Sequence, residues 1–353
     1  MAVPIVRAMV AAAFQAVDVP EPDADLAAEV LVSADLRGIR SHGVARLGYF
    51  LVRLQRGTIN PHPVFRYRQG SDTTGLLDAD NAIGILAASR AMDEAMAMAS
   101  KHGSGFVAVS GSSHFGYAGF WAERAMRAGF IGLSMSNSGR RVAPTFSNES
   151  ILGTNPLAVS IAGGPGRTDF LLDMATSAVA VGKVEGALRE GREIPQGWVA
   201  EYGDRPVLDE NGVLSYDAPL LPLGGEGDGT GGHKGYGLSL MVELLCGALA
   251  GSSLADRITG ASGEAPAAMG HFMGAISVAG FRPLELVQGD MADTFETIRK
   301  AGKTPGRDRI LIHGEPEREA EEANRRLGLP ITPALLGQLV RWNDRLGLGF
   351  DLP

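Results

Sequence analysis

Apolar residues recur at helical spacing in the first part of the chain. Positions 25–37 carry an apolar residue at every third or fourth place, and the pattern stops at Gly38, a residue type that often terminates helices. A second apolar stripe begins at Leu47 and ends at Gly57. We therefore predict two helices here and assign residues 1–70 to a helical region.

From about residue 71 the pattern alternates between helical and strand-like segments. Strand–helix–strand order after residue 100 favours a right-handed crossover in a partly parallel sheet. Helices are predicted at 83–102, 117–127, 235–250 and 290–301 and near the C-terminus, with strands at 106–110, 130–136, 157–161, 170–174 and 274–278.

Composition narrows the classes of function. The chain has 353 residues and a net charge of −8, and no basic run is longer than a pair, so nucleic-acid binding is not expected. The longest apolar run, 238–251, contains Glu243 and predicts a buried core helix, and no stretch is apolar enough to predict a membrane span. Because Cys246 is the single cysteine, a reducing compartment and a cytoplasmic location are expected.

The first candidate for chemistry is the segment 40–46. Ser41 is a good N-cap for the helix that follows, which would place His42 in its first turn and Arg46 on the same helix face. A guanidinium and an imidazole in that arrangement could hold a carboxylate beside a proton-transfer group. The alternative is a capped helix with two solvated side chains.

The second candidate is His114, in a loop between a predicted strand and a predicted helix. Binding sites in open α/β sheets usually lie in such loops, and an imidazole can act as a general acid or base near neutral pH. A purely structural histidine is the alternative. His42, His114 and His233 are widely spaced and show no paired metal-ligand motif, so no metal site is predicted.

A glycine-rich loop precedes the long apolar helix. Residues 227–232 match a dinucleotide-binding pattern, but Glu226 and Asp228 would place negative charge where a pyrophosphate should lie, so we reject that interpretation. Lys234 then follows at the predicted helix N-terminus, a position that suits phosphate binding. A solvated cap is the alternative there.

Taken together, the motifs resemble the malate/L-lactate dehydrogenase family, whose members do not use a Rossmann fold. The resemblance runs from about residue 20 to 320 and rests on Asp35-Leu36-Arg37-Gly38 with Ser41-His42-Gly43 and Arg46, Ser113-His114-Phe115-Gly116, Leu152-Gly153-Thr154-Asn155-Pro156-Leu157, Asp173-Met174-Ala175-Thr176-Ser177 with Gly182-Lys183, Ile194-Pro195 with Gly197-Trp198, and Gly232-His233-Lys234-Gly235-Tyr236-Gly237.

The resemblance implies a fold and a domain organisation. It implies a non-Rossmann, mixed-sheet α/β domain and a helical domain built from both chain ends, in a homodimer. On this basis the helical domain takes residues 1–70, 226–270 and 316–353, and the α/β domain takes 71–225 and 271–315.

The resemblance also implies the site residues. His114, His42 and Ser41 would be catalytic, and Arg46, Thr154 and Asn155 would bind the substrate. The cofactor, NAD or NADP, would be lined by Asp173, Met174, Ala175, Thr176, Lys234, Gly314 and Glu315. His313 replaces a proline expected at the last turn, and residues 145–148 lack expected glycines, so these parts of the pocket are expected to differ.

The implied activity is hydride transfer between a nicotinamide and C2 of a small 2-hydroxy or 2-keto acid. Spacing alone leaves the proton-transfer group open between His114, slightly favoured, and His42. Reduction of a cyclic imino acid is one alternative activity. A cofactor-independent lyase or racemase and a catalytically silent nucleotide-binding protein are alternatives of other classes.

Overall fold

The computed structural model describes residues 1–189, 191–200, 218–258 and 264–353. The helices in those residues are α1 (Val3–Gln15), α2 (Glu21–Leu36), α3 (Leu47–Gln55), α4 (Gly84–His102), α5 (Ala118–Arg127), α6 (Val181–Arg189), α7 (Gly232–Glu243), α8 (Leu284–Lys300), α9 (Glu315–Leu327) and α10 (Pro333–Leu346). The strands are β1 (Arg66–Ser71), β2 (Thr74–Asp78), β3 (Ser104–Ser112), β4 (Phe130–Ser136), β5 (Leu157–Ile161), β6 (Phe170–Met174) and β7 (Met269–Ser277).

The strands form one mixed sheet, in the order β1-β2-β3-β7-β4-β5-β6. β2 and β3 are paired in parallel, whereas every other neighbouring pair is antiparallel. β7 lies between β3 and β4 and runs against both, so β3 and β4 point the same way without touching. The predicted mixed α/β sheet is therefore confirmed, with a late strand inserted into the crossover.

The main core lies between the sheet and the helices of the first part of the chain. Val107 and Met273 from the two central strands contact buried side chains of α1 to α5, including Phe14 and Trp121. α10 packs onto α1, and the amino group of Met1 donates to the carbonyl of Leu329. Both ends of the chain therefore meet on the same side of this core.

Two predictions about elements are wrong. Residues 66–70, assigned to the helical region, belong to strand β1 of the β1–β2 hairpin. The predicted 235–250 helix is not buried throughout: α7 ends at Glu243, a π-helical turn continues over Leu244–Ala248, and only one side packs inward. On its outer side four apolar side chains are 37–60% exposed: Leu238, Met241, Leu244 and Leu249. None of the described helices is long and apolar enough to cross a membrane.

Candidate active site

His42 and Arg46 lie in two consecutive 3₁₀ turns, Arg40–His42 and Val44–Arg46, which precede α3. Ser41 is therefore not the N-cap of this helix, and that prediction is wrong because the extended backbone of Gly43 separates the turns. The Ser41 hydroxyl instead lies 2.8 Å from His42 Nδ1, and Arg46 Nε donates to the Ser41 carbonyl at 2.7 Å. His42 and Arg46 are still neighbours, through a turn and not through a helix face.

A buried carboxylate shapes these turns. Asp35, in the last turn of α2, is 5% exposed, and its Oδ2 accepts a hydrogen bond from the Val44 amide at 2.7 Å. A Cβ at Gly43 would overlap that carboxylate. Burial raises the pKa of Asp35 to about 6, against the lowering effect of the Val44 hydrogen bond. The first motif therefore contains a residue that orders the backbone beside His42.

The neighbouring Arg37 joins three helices. Its guanidinium is buried and pairs with Glu123 of α5 at 2.6 Å and with Glu321 of α9 at 2.9 Å. Breaking a buried ion pair on one side leaves an uncompensated charge, so this arginine holds α2 in place against the sheet layer. The first motif, which also contains the turns of His42 and Arg46, is thus anchored near its start.

His114 is held by backbone contacts at the end of β3. Its Nδ1 accepts a hydrogen bond from the Gly116 amide at 3.2 Å. The preceding Ser113 hydroxyl donates to the Ala82 carbonyl and accepts from the Gly84 amide, both at 3.0 Å. A Cβ at Gly84 would overlap the backbone of Ser113 and His114, so the start of α4 can lie this close only because it is glycine.

The two predicted catalytic histidines meet. Their rings stack with centroids 5.4 Å apart at 28°, and the rings of Tyr49 and Phe50 from α3 lie against His114 at 5.8 and 6.1 Å. Burial and the charge of Arg46 lower the pKa of His42 to about 3. Burial, His42 and Arg46 together hold the pKa of His114 well below its usual value. Both imidazoles are therefore neutral at neutral pH.

Two further segments reach Arg46. Burial lowers the pKa of Arg46, the nearby Glu185 of α6 raises it, and Arg141 lowers it. A Cβ at Gly182, at the start of α6, would lie in ordinary contact with Ser41 at 3.4 Å. The Arg46 guanidinium is thus hydrogen-bonded to the first 3₁₀ turn and lies within electrostatic range of Glu185 and Arg141.

Thr154 and Asn155 were predicted to bind substrate, but Asn155 is fully buried and hydrogen-bonded within the protein. Its Nδ2 donates to the Ser239 carbonyl at 3.1 Å and to Glu243 Oε2 at 2.8 Å, and its Oδ1 accepts from the Ser138 amide at 3.1 Å. The Thr154 hydroxyl lies 3.4 Å from that of Ser138. Asn155 thus links the end of β4 to α7.

The Asp173–Thr176 segment, predicted to line the cofactor, leaves the end of β6. Asp173 Oδ2 accepts from the Gly119 amide at 2.9 Å, and burial raises the Asp173 pKa to about 6. Met174 packs in an apolar cluster with residues of β4, β5 and α7, and Ala175 connects it to Thr176. The buried Thr176 hydroxyl donates to the carbonyls of Thr154 and Asn155, each at 3.1 Å. These contacts bring the third and fourth motifs together.

Lys234 lies at the N-terminus of α7, as predicted. The helix begins after Gly231, whose backbone is left-handed with φ 87°. The amide of Leu223, just before the glycine loop, donates to the Thr176 carbonyl at 2.9 Å, and Gly235 packs against the Leu223 backbone. The fourth and fifth motifs are therefore adjacent, with the exposed Lys234 side chain available to an anion at the helix N-terminus.

The turn at residues 313–315, also predicted to line the cofactor, lies beside β6. The His313 carbonyl accepts from the Leu171 amide at 3.1 Å, and Gly314 caps α9 with φ 95°. Glu315 pairs with Arg299 and accepts from the Ile312 amide at 2.7 Å. The structure thus places Glu315 in an ion pair, and nothing brings it to the histidine pair.

Sequence reasoning missed three residues around these sites: Tyr49, Glu243 and His271. Tyr49 has a partial signal in the sequence, because it falls in the apolar stripe of α3 beside Arg46. Glu243 is buried and also accepts from Asn137 at 3.2 Å, and His271 is buried between β3 and β4. A glutamate in an apolar helix and a histidine in a central strand signal buried polar networks. Over the described ranges, no cluster of three His, Cys, Asp or Glu could hold a metal ion.

Comparison with known proteins identifies the family. The family model described as malate/L-lactate dehydrogenase matches residues 2–340. The malate dehydrogenase of Pyrococcus abyssi is 42% identical over 329 residues, covering 93% of this chain and 90% of that protein. The L-sulfolactate dehydrogenase of Methanocaldococcus jannaschii is 34% identical over 334 residues, covering 94% and 93%, respectively. The ureidoglycolate dehydrogenase (NAD(+)) of Escherichia coli K12 is 34% identical over 294 residues, covering 82% and 80%.

Solved structures agree with these relatives. The malate dehydrogenase of Pyrococcus horikoshii OT3 superimposes with a TM-score of 0.88 at 35% identity, over 100% of this chain and 96% of that one. The Δ1-piperideine-2-carboxylate reductase of Pseudomonas syringae gives 0.79 at 25% identity, over 97% and 99%. Several relatives carry NAD(+) or NADP(+) in their names, which supports a nicotinamide cofactor here.

The fold and these relatives thus define a non-Rossmann α/β oxidoreductase, acting on the CH–OH group of a small 2-hydroxy acid. The chain belongs to the malate/L-lactate dehydrogenase family, as its motifs predicted.

Proposed function

We propose that the protein interconverts malate and its 2-keto acid with a nicotinamide nucleotide. The observation that carries this is the pair of neutral, stacked imidazoles of His42 and His114 beside the Arg46 guanidinium. Hydride transfer at C2 of a hydroxy acid needs a carboxylate anchor, a group that exchanges the hydroxyl proton and a shielded pocket. This cluster supplies the first two, and Tyr49 and Phe50 shield it on the α3 side.

Arg46 anchors the substrate carboxylate in this proposal. A guanidinium binds a carboxylate through two parallel hydrogen bonds, which fixes the face that C2 presents. Glu185 raises the Arg46 pKa and Arg141 lowers it, so charges of both signs act on the pocket. A substrate with a second anionic group is favoured over lactate because relatives are named for malate and sulfolactate, which are dianions.

The hydrogen bonds give the two histidines different roles. Because His114 Nδ1 accepts from a backbone amide, its neutral ring carries the proton on Nε2 and can donate a hydrogen bond to the substrate oxygen. His42 Nδ1 faces the Ser41 hydroxyl, which can donate or accept, so His42 Nε2 is free to exist with or without a proton. We therefore assign proton transfer to His42, and His114 polarises and orients the reacting oxygen.

A bound nicotinamide nucleotide supplies the hydride acceptor in oxidation and the donor in reduction. The N-terminus of α7 and Lys234 suit its phosphates, since the helix dipole and an exposed lysine there attract anions. The remaining residues that we propose for cofactor binding are Asp173, Met174, Ala175, Thr176, Gly314 and Glu315. Thr154 stays a proposed substrate-binding residue, whereas the buried side-chain amide of Asn155 positions the backbone beside it.

We also propose a homodimer that acts in the cytoplasm. The exposed apolar side chains on the outer side of α7 and its π-helical turn give a second copy a surface to cover. The buried free thiol of Cys246 is consistent with a reducing compartment. Sedimentation should show a dimer at micromolar concentration, and Leu244→Glu should shift it towards monomer. A stable, active monomer of the unaltered protein would contradict the dimer.

The activity is tested by following nicotinamide absorbance on mixing enzyme with NADH or NADPH and oxaloacetate, pyruvate or piperideine-2-carboxylate. We expect oxaloacetate to be reduced fastest, at a rate unaffected by a chelator. Faster reduction of the cyclic imine would show that the substrate is a cyclic imino acid and not the 2-keto acid of malate. Absence of turnover with every pair, together with no change in nucleotide fluorescence on binding, would overturn the proposed function.

A further inference from the structure

His271 lies fully buried in β7, in the middle of the sheet, and contacts residues on both sides of His114. Its register partners are Val109 of β3 and Ser136 of β4, so it faces the ends of both strands from which site loops depart. The ring bridges those strands: Nε2 lies 2.7 Å from the Ser112 hydroxyl and Nδ1 lies 2.9 Å from the Ser136 hydroxyl.

The hydroxyl partners define the protonation of this ring. Ser136 has one hydrogen, and it points to backbone carbonyls, those of Asn137 at 2.9 Å and Gly270 at 3.2 Å. The Ser136 oxygen can therefore accept from His271 Nδ1–H, while His271 Nε2 lies beside the Ser112 hydroxyl, which is also 3.5 Å from the Ser113 carbonyl. Burial lowers the pKa of His271 to about 3, against the raising effect of hydrogen bonds to the Ser113 and Gly270 backbone, so the ring is neutral.

The ring also supports the residue that follows His114. Phe115 stacks face to face on His271, with centroids 4.8 Å apart and 9° between the planes. The Phe115 carbonyl accepts from Trp121 Nε1 at 2.9 Å. Ser112 and Phe115, on either side of His114, are therefore both fixed by one side chain. The loop is held at two points that flank the site imidazole.

We propose that His271 is the positioning residue of His114, acting through the Ser112 hydroxyl and the Phe115 ring. This rests on the proposed function for its kinetic consequence, although the structural link stands apart from any substrate. His271 touches neither substrate nor cofactor in this account. It fixes the orientation in which His114 presents Nε2–H, and small misplacements of such a group are costly to the rate of reaction.

Two amide substitutions separate the two ring nitrogens. In His271→Gln the side-chain amide can occupy the position of Nε2 and keep the Ser112 contact, whereas in His271→Asn it occupies the position of Nδ1 and keeps the Ser136 contact. We expect His271→Asn to lower kcat by up to about tenfold, no more than the replacement of His114 itself, and His271→Gln to lower it less, because a misplaced catalytic group reduces turnover more than substrate binding. The KM for the hydroxy acid should change little in either variant.

The serine partners provide a matched pair that keeps the test open if the histidine variants do not fold. Ser112→Ala and Ser136→Ala each remove one buried hydroxyl from the same ring. Ser112→Ala should reproduce the kcat loss of His271→Asn. Ser136→Ala should lower the melting temperature about as much as Ser112→Ala does, with a smaller effect on kcat. Equal kcat values in the two serine variants would contradict the proposal.

A spectroscopic measurement decides the structural link without any assay of activity. Imidazole nitrogen NMR of the whole protein should show His114 as the Nε2–H tautomer, and this signal should shift or broaden in His271→Asn and Ser112→Ala but much less in Ser136→Ala. Unchanged His114 signals in all variants, alongside a lower melting temperature, would reduce His271 to a core residue and overturn the proposal. An unaltered protein without dehydrogenase activity would refute the proposed function and leave this measurement valid.

Discussion

The two site histidines belong to regions that hold them in different ways. His114 stands at the end of a central strand, where a backbone amide occupies Nδ1 and Gly84 presses the start of α4 against the loop. His42 stands in short 3₁₀ turns, where its Nδ1 faces a rotatable hydroxyl and a single carboxylate, Asp35, holds the next turn. One ring has a fixed tautomer, and the other can change.

This difference matters because proton transfer and oxygen orientation make opposite demands. A group that gains and loses a proton needs a neighbour that can reverse its hydrogen bond, and Ser41 is such a neighbour. A group that orients an oxygen needs a donor that does not move, and a ring held by backbone on a central strand meets that need. The two regions are therefore suited to different steps of one reaction.

The largest effect is expected from filling the gap between α4 and the His114 loop. Gly84→Ala would place a Cβ against the Ser113 and His114 carbonyls, so backbone must move, at a cost of about 3 kcal/mol or more in the free energy of unfolding. Urea unfolding measures that loss, and kcat should fall with it.

Gly289→Ala is the matched control for that substitution. Gly289 lies in α8 with open space around its Cβ position, and alanine favours helix over glycine by about 0.5–1 kcal/mol. This variant should be at least as stable as the unaltered protein. If Gly84→Ala proved equally benign, the close packing of α4 on the loop would not be a constraint.

The next largest effect concerns the carboxylate anchor. Arg46→Lys keeps the charge but loses the two-pronged geometry, so about 2–3 kcal/mol of transition-state binding should be lost. That corresponds to a fall in kcat/KM of roughly 30- to 150-fold, measured by steady-state kinetics. The nucleotide dissociation constant should barely change. Equal weakening of nucleotide and substrate would remove Arg46 from the anchor role.

A smaller effect is expected at the carboxylate that orders the His42 turn. Asp35→Ala leaves the Val44 amide without its acceptor, which costs about 1–3 kcal/mol when the group is buried. Asp35→Asn keeps an acceptor oxygen and should cost less. Thermal unfolding compares the two variants, and we expect a lower melting temperature for Asp35→Ala than for Asp35→Asn. The reverse order would show that the hydrogen bond to Val44 is unimportant.

A further prediction concerns the pH dependence of stability. The pKa values of His42, His114 and His271 are lowered by burial, so below about pH 6.5 the unfolded chain takes up protons that the folded one refuses, and stability falls towards pH 3. The pKa values of Asp35 and Asp173 are raised to about 6, so these groups oppose that loss between about pH 6 and 4.

Two variants separate these opposing contributions. His271→Gln should flatten the loss of unfolding free energy between pH 6.5 and 4, and Asp35→Asn should steepen it below pH 6, because each removes one titrating group. Urea titrations across this range provide the measurement. Identical slopes in all three proteins would show that these groups are not perturbed by the fold.

Much of this fold follows from local sequence patterns. β4, β5 and β6 begin and end where alternation and turn residues predicted, because their boundaries are set by neighbours in the chain. The β1–β2 hairpin was missed because its residues are mostly polar, and an edge strand needs little apolar patterning. The insertion of β7 between β3 and β4 could not be predicted, since its partners lie more than a hundred residues away.

The candidate site likewise has residues that the sequence predicted and contacts that it did not. Motif order was sufficient to place His42, Arg46, His114 and Lys234 in a candidate site. The turn type at Ser41 depends on Asp35, and the buried role of Asn155 depends on Glu243, and both contacts form only in the folded chain. His271 lies outside every motif, although it supports one of them. Tautomers likewise depend on these tertiary hydrogen bonds.

The central claim is that His42 transfers the proton while His114 only donates a hydrogen bond. Glutamine can replace a donor at Nε2 but cannot accept and release a proton, so single-turnover rates of His42→Gln and His114→Gln distinguish the two roles. We expect His42→Gln to slow hydride transfer about 10²- to 10⁴-fold, the usual contribution of a general base, and His114→Gln to slow it by about tenfold or less. A slower His114→Gln than His42→Gln would contradict the assignment.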